Sequence, residues 1–89
     1  MYPKKSLKKN QLYQFNKSKN RLVDSAYLFD SFSQNPIRIK NKEYILFIKE
    51  ITFEQSIALL IMINNNNNNK IIAIDKHFFT IYNELTPIY

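Results

Sequence analysis

A chain of 89 residues without one glycine must turn every corner with residues that resist left-handed backbone. Asparagine tolerates that conformation better than most, and six of them stand together at Asn64–Asn69. A run of this kind buries no apolar surface, so it reads as a low-complexity loop between two folded segments. Cysteine is absent as well, which removes disulfides, thiolate metal sites and cysteine nucleophiles. The longest apolar stretch, Ile57–Ile63, is far short of the ~20 residues that cross a bilayer as a helix. One soluble domain is expected, near the small end of independently stable cores.

Charge divides the chain unevenly. Lys4, Lys5, Lys8, Lys9, Lys17, Lys19 and Arg21 occur with no Asp or Glu among them, whereas from residue 22 onward six Lys/Arg meet seven Asp/Glu. A block of like charge repels itself and orders against a polyanion. Residues 1–21 are therefore expected to be a basic arm that neutralises phosphate. Tyr2, Leu7, Leu12, Tyr13 and Phe15 are set among its lysines, and an aromatic such as Phe15 can stack on bases.

Residues 22–83 read as the folded module and 84–89 as a tail. Asp24 or Ser25 caps a first expected helix that runs to Phe32, with Leu28 and Phe32 on one face, and Pro36 follows it. Ile37-Arg38-Ile39-Lys40 alternates as a half-buried strand does, leaving Arg38 and Lys40 on the open face within reach of phosphates. Asn41 caps a second helix with Tyr44, Ile45, Ile48 and Ile51 as its stripe. Thr52 and Gln55 fit a capping box for a third helix from Phe53 to Ile63. Lys70–Ile74 and Phe78–Tyr82 read as a hairpin around Asp75-Lys76-His77. Helix, strand, helix, helix and hairpin is the order of an α+β winged helix, with the hairpin as the wing.

In that order the chain resembles the eukaryotic small-subunit ribosomal protein family numbered twenty-five, over residues 15–82. Phe15-Asn16-Lys17-Ser18-Lys19-Asn20-Arg21 is similar to the family's Trp-Ser-Lys-Gly-Lys-x-Arg segment, and Leu22-Val23-Asp24-Ser25-Ala26 to the stretch that opens its first helix. Asn35-Pro36 falls where the family has a proline. Gln55–Leu60 resembles its third-helix run, and Ile72–His77 with Ile81-Tyr82 its wing. Thr52-Phe53-Glu54 stands where the family has Arg-Gly-Ser.

The resemblance implies a non-enzymatic, cytoplasmic constituent of the ribosomal small-subunit head, supporting translation. Its implied partners are small-subunit ribosomal RNA and neighbouring head proteins, with no cofactor, metal, membrane or small-molecule substrate. The RNA contacts expected are Lys4, Lys5, Lys8, Lys9, Phe15, Lys17, Lys19, Arg21, Arg38, Lys40, Lys76 and His77, the last two at the wing tip. His77 has no nucleophile beside it and only Asp75 as an acidic neighbour, so no catalytic residue is expected. Two other classes fit parts of the pattern. One is a free winged-helix DNA-binding regulator. The other is a small subunit of a mitochondrial complex, with the arm as targeting sequence.

Overall fold

The computed structural model describes residues 6–65 and 68–89. The chain is built from strands: β1 (Gln11–Phe15), β2 (Ser25–Asp30), β3 (Asn35–Lys40), β4 (Tyr44–Phe53), β5 (Ser56–Asn65), β6 (Asn68–Asp75) and β7 (Leu85–Pro87). Two 3-10 turns, Lys76–Phe78 and Tyr82–Glu84, lead from β6 to β7. The main sheet is antiparallel in the order β6-β5-β4-β1-β7, and β2 pairs with β3 as a separate hairpin.

That order places β1 between the β4–β5–β6 meander and the closing strand β7. The inserted hairpin lies across the sheet, where Ala26, Leu28 and Ile39 join Phe15, Ile45, Ile61 and Ile72 in one core. Its far end is tied to the free edge of β6. Ser31 N donates to Ala73 O at 2.7 Å. The buried Asp30 carboxylate accepts from Phe32 N at 3.1 Å, Ser33 Oγ at 2.7 Å and Ala73 N at 3.4 Å. A polar group out of water needs such partners. The two layers thereby pack around one core in a small β-rich domain whose β6 edge is partly covered.

The structure overturns the winged-helix expectation. No helix-turn-helix exists among the described residues, because all three expected helices are strands: the first is β2, the second lies in β4 and the third in β5. Near-continuous apolar runs carry matches to both periods, and here the pleat wins. Along β5 the buried residues Leu59, Ile61 and Ile63 alternate with the half-buried Leu60 and Met62. In β4, Ile45 and Phe47 point inward and Tyr44 outward, and a bulge between Phe47 and Lys49 then resets the alternation. Ile- and aromatic-rich segments suit a half-buried pleated surface better than a helix that must fix each β-branched χ1.

The apparent capping box is a hairpin turn. Phe53 pairs with Ser56, and between them Glu54 and Gln55 both take positive φ, 47° and 65°. Two left-handed residues in a two-residue loop are the type I′ arrangement, which Asn-Gly makes with least strain. Asn10, Gln34 and Lys42 take left-handed backbone elsewhere, so residues with a Cβ do throughout what glycine usually does. The double substitution Glu54→Asn with Gln55→Gly is expected to raise stability by about 1–2 kcal/mol, the strain of two left-handed residues. Urea denaturation measures it, and an unchanged midpoint would mean that the turn carries no such strain.

The expected wing does not form among the described residues. Lys70–Ile74 is strand as read, within β6, but its partner is β5 in the register Ile61↔Ile72. Phe78–Tyr82 forms no strand, and Phe79 and Ile81 turn into the core. The asparagine run is shorter as a loop than its composition suggests: Asn64 pairs with Asn69 and Asn65 with Asn68, while Asn66 and Asn67 lie outside the described residues.

Candidate nucleic-acid interface

The outward face of the β2–β3 hairpin carries an unusual set of side chains. Its register pairs Tyr27 with Arg38 and Phe29 with Pro36, and places Lys40 beside Ser25. Because alternate residues point opposite ways, burying Ala26, Leu28 and Ile39 forces Tyr27, Phe29, Arg38 and Lys40 outward. Tyr27 is 67% exposed and Phe29 48%. Arg38 Nη2 lies 3.9 Å from Asp24 Oδ1, and both side chains are open to solvent, so the pair restrains Arg38 little.

The base of this hairpin merges with a cationic end of the main sheet. Lys42 N donates to Phe15 O at 2.6 Å and Lys17 N to Asn41 Oδ1 at 2.9 Å, which brings the β1–β2 and β3–β4 connections together. Lys17, Lys19, Lys40 and Lys42 gather there, all exposed. Their hydrogen bonds leave the charge uncompensated: Lys17 Nζ donates to Arg21 O at 3.3 Å and Lys42 Nζ to Asn16 Oδ1 at 2.6 Å. Among the described residues, no carboxylate lies within ion-pair distance of these four lysines.

Other expected contacts are placed differently. Phe15 is fully buried at the centre of the core and cannot present its ring to a base. Arg21 is engaged internally: Nε donates to Glu84 Oε2 at 2.8 Å and Nη2 to Oε1 at 2.5 Å, and Ser18 N adds a bond to Oε2 at 2.9 Å. The guanidinium also covers the Phe15 ring at 5.6 Å from its centroid. Hydrogen bonding from Arg21, which outweighs the effect of burial, holds the Glu84 carboxyl at about 2, and the same bond raises Arg21. This pair is a clasp between the β1–β2 connection and the turn before β7. It is not a phosphate site.

The lysines of the expected arm are divided by β1. Lys8 and Lys9 precede the strand and Lys17 and Lys19 follow it, so about 17 Å of strand separates the two pairs. Lys4 and Lys5 lie outside the described residues. At the opposite end of the main sheet Lys76 Nζ pairs with Glu50 Oε1 at 2.7 Å, which raises its pKa and spends its charge. His77 beside it is exposed in the 3-10 turn. Of the residues read from the sequence, Lys17, Lys19, Arg38 and Lys40 come together.

Tyr27, Phe29 and Lys42 complete the surface and were missed by the sequence reading. The signal for the aromatics was present in Ser25-Ala26-Tyr27-Leu28-Phe29-Asp30, where small or aliphatic residues alternate with aromatic ones. Comparison of the chain with protein-family models, with curated proteins and with solved structures finds no match.

Proposed function

We propose that the protein binds single-stranded RNA along the outer face of the β2–β3 hairpin and the adjoining cationic end. One observation carries the proposal: two exposed aromatic rings, Tyr27 and Phe29, lie on the same pleated face as two cations, Arg38 and Lys40. Single strands are held by this combination, since every base has a π-face for an aromatic ring while lysine and arginine meet the phosphates. A duplex offers no unstacked base to Tyr27 or Phe29. The formal charge of +6 favours a polyanionic partner and speeds its encounter.

Ribosomal RNA stays within this proposal as a source of such strands. The winged-helix order that pointed to the small-subunit head does not, since the segments expected to be its helices are strands. The regulator alternative named a recognition helix, and the segment read as that helix is strand β5.

Fluorescence anisotropy with labelled RNA strands of about ten nucleotides tests the reading. Tyr27→Ala with Phe29→Ala is expected to weaken binding about a hundredfold, at roughly tenfold per stacked ring. Arg38→Ala with Lys40→Ala is expected to flatten the dependence of log affinity on log salt by about 1.4, at roughly 0.7 for each phosphate released. An aromatic double variant that binds as tightly as wild type would remove the hairpin face from the interface.

A further inference from the structure

At the tip of the same hairpin the platform ends in a cleft. It has a volume of about 440 Å³ and is lined by Phe29 and Ser31 from the end of β2 and by Asp75 and Phe78 from the end of β6 and the 3-10 turn. The tie from Ser31 N to Ala73 O holds the two walls at a fixed separation. Phe78 is 72% exposed, which is unusual for a phenylalanine held in an ordered turn. The volume falls within the range of pockets that hold small ligands.

Polar groups in the cleft are few and of defined kind. Asp75 Oδ1 accepts from His77 N at 2.9 Å, which caps the turn and fixes the carboxylate. Among the described residues, neither Asp75 Oδ2 nor the Ser31 hydroxyl has a hydrogen-bond partner. Lys76, next in sequence, is held away by Glu50. An apolar slot with a carboxylate at its side accepts hydrogen bonds and repels acceptors.

We infer that this cleft is a base-selecting pocket, which takes one unstacked nucleobase between Phe29 and Phe78 and prefers bases with an exocyclic amino group, cytosine above uracil. The inference rests on the RNA-binding reading and adds selectivity to it. Cytosine and uracil present nearly the same ring to an aromatic wall. At position 4 cytosine carries an amino donor, which a carboxylate accepts, whereas uracil carries a carbonyl, which the carboxylate repels. Stacking on Tyr27 and Phe29 then supplies affinity for any strand, and Asp75 supplies the choice between bases.

Anisotropy titrations of oligocytidylate and oligouridylate of equal length, with wild type and Asp75→Asn, test the pocket. Wild type is expected to bind oligocytidylate about tenfold tighter, the size of one charge-assisted hydrogen bond. Asp75→Asn is expected to bring the ratio near one, because an amide offers both a donor and an acceptor. Asparagine also caps a turn as aspartate does, so the fold is kept. Phe78→Ala is expected to weaken both strands by about tenfold. Equal binding of the two strands by wild type overturns the pocket and leaves the hairpin platform standing, as does an undiminished preference in Asp75→Asn. If neither strand binds at low salt, the RNA-binding reading falls and the pocket falls with it.

Discussion

Phe15→Ala is expected to destabilise the protein by about 3–5 kcal/mol, enough to leave a domain of this size largely unfolded at 37 °C. Phe15 is 0% exposed and stands at the end of β1, where its N donates to Glu43 O at 2.8 Å and its O accepts from Lys42 N at 2.6 Å on one edge, while Leu85 of β7 pairs with it on the other. Truncation would leave a cavity facing Ile45 and the hairpin, and would remove the ring on which the Arg21 guanidinium rests. A phenylalanine serving as an RNA anchor on an unfolded arm would cost nothing in stability when truncated. Leu22→Ala, at an almost wholly exposed position seven residues later, is expected to change stability by less than about 0.5 kcal/mol. Paired urea melts of the two variants make the comparison, and equal midpoints would return Phe15 to the solvent.

The contrast between Phe15 and the lysines around it shows what was legible in the sequence. Charge alone drew the boundary of the arm at Arg21. Within it, Leu12-Tyr13-Gln14-Phe15 buries Tyr13 and Phe15 on one side, an alternation that four residues among lysines were too few to announce. Ile37–Lys40 was legible as a strand because its own residues alternate apolar and basic, so the pleat fits. Phe53–Ile63 was not, since its outward residues Leu60 and Met62 are as apolar as its inward ones. Those outward residues belong to a wider pattern: Leu12, Leu46, Met62 and Ile71 form a continuous row across four strands. When both faces of a sheet are apolar, period two disappears and helical matches arise by default. The candidate site was legible in its cations, through Arg38 and Lys40. Its aromatics were hidden by the false helix, and the cleft was not legible at all because Phe29 and Asp75 meet only through long-range closure.

A second large effect is expected where Arg21 meets Glu84. The Glu84 carboxyl titrates at about 2 in the folded chain against 4.5 for the free group, with the Arg21 hydrogen bonds as the main cause. A depressed carboxyl stabilises the fold fully above about pH 4.5, where it is ionised in both states. Stability is then lost as the pH falls from about 4.5 toward 2, because the unfolded chain takes up the proton first. At roughly 1.4 kcal/mol per unit, and with a discount for the partly exposed arginine, the pair contributes about 2–3 kcal/mol at neutral pH. Glu84→Gln removes that contribution and leaves Arg21 without its counter-charge, so at pH 7 it is expected to be less stable than wild type by at least this amount. The two proteins differ at this one carboxyl, so the difference between them isolates Glu84. Urea melts at pH 7, 4.5, 3 and 2 should show the gap narrowing as the wild type loses its clasp. A gap that stays constant down to pH 2 would mean that the pair adds nothing electrostatic and that glutamine merely packs less well.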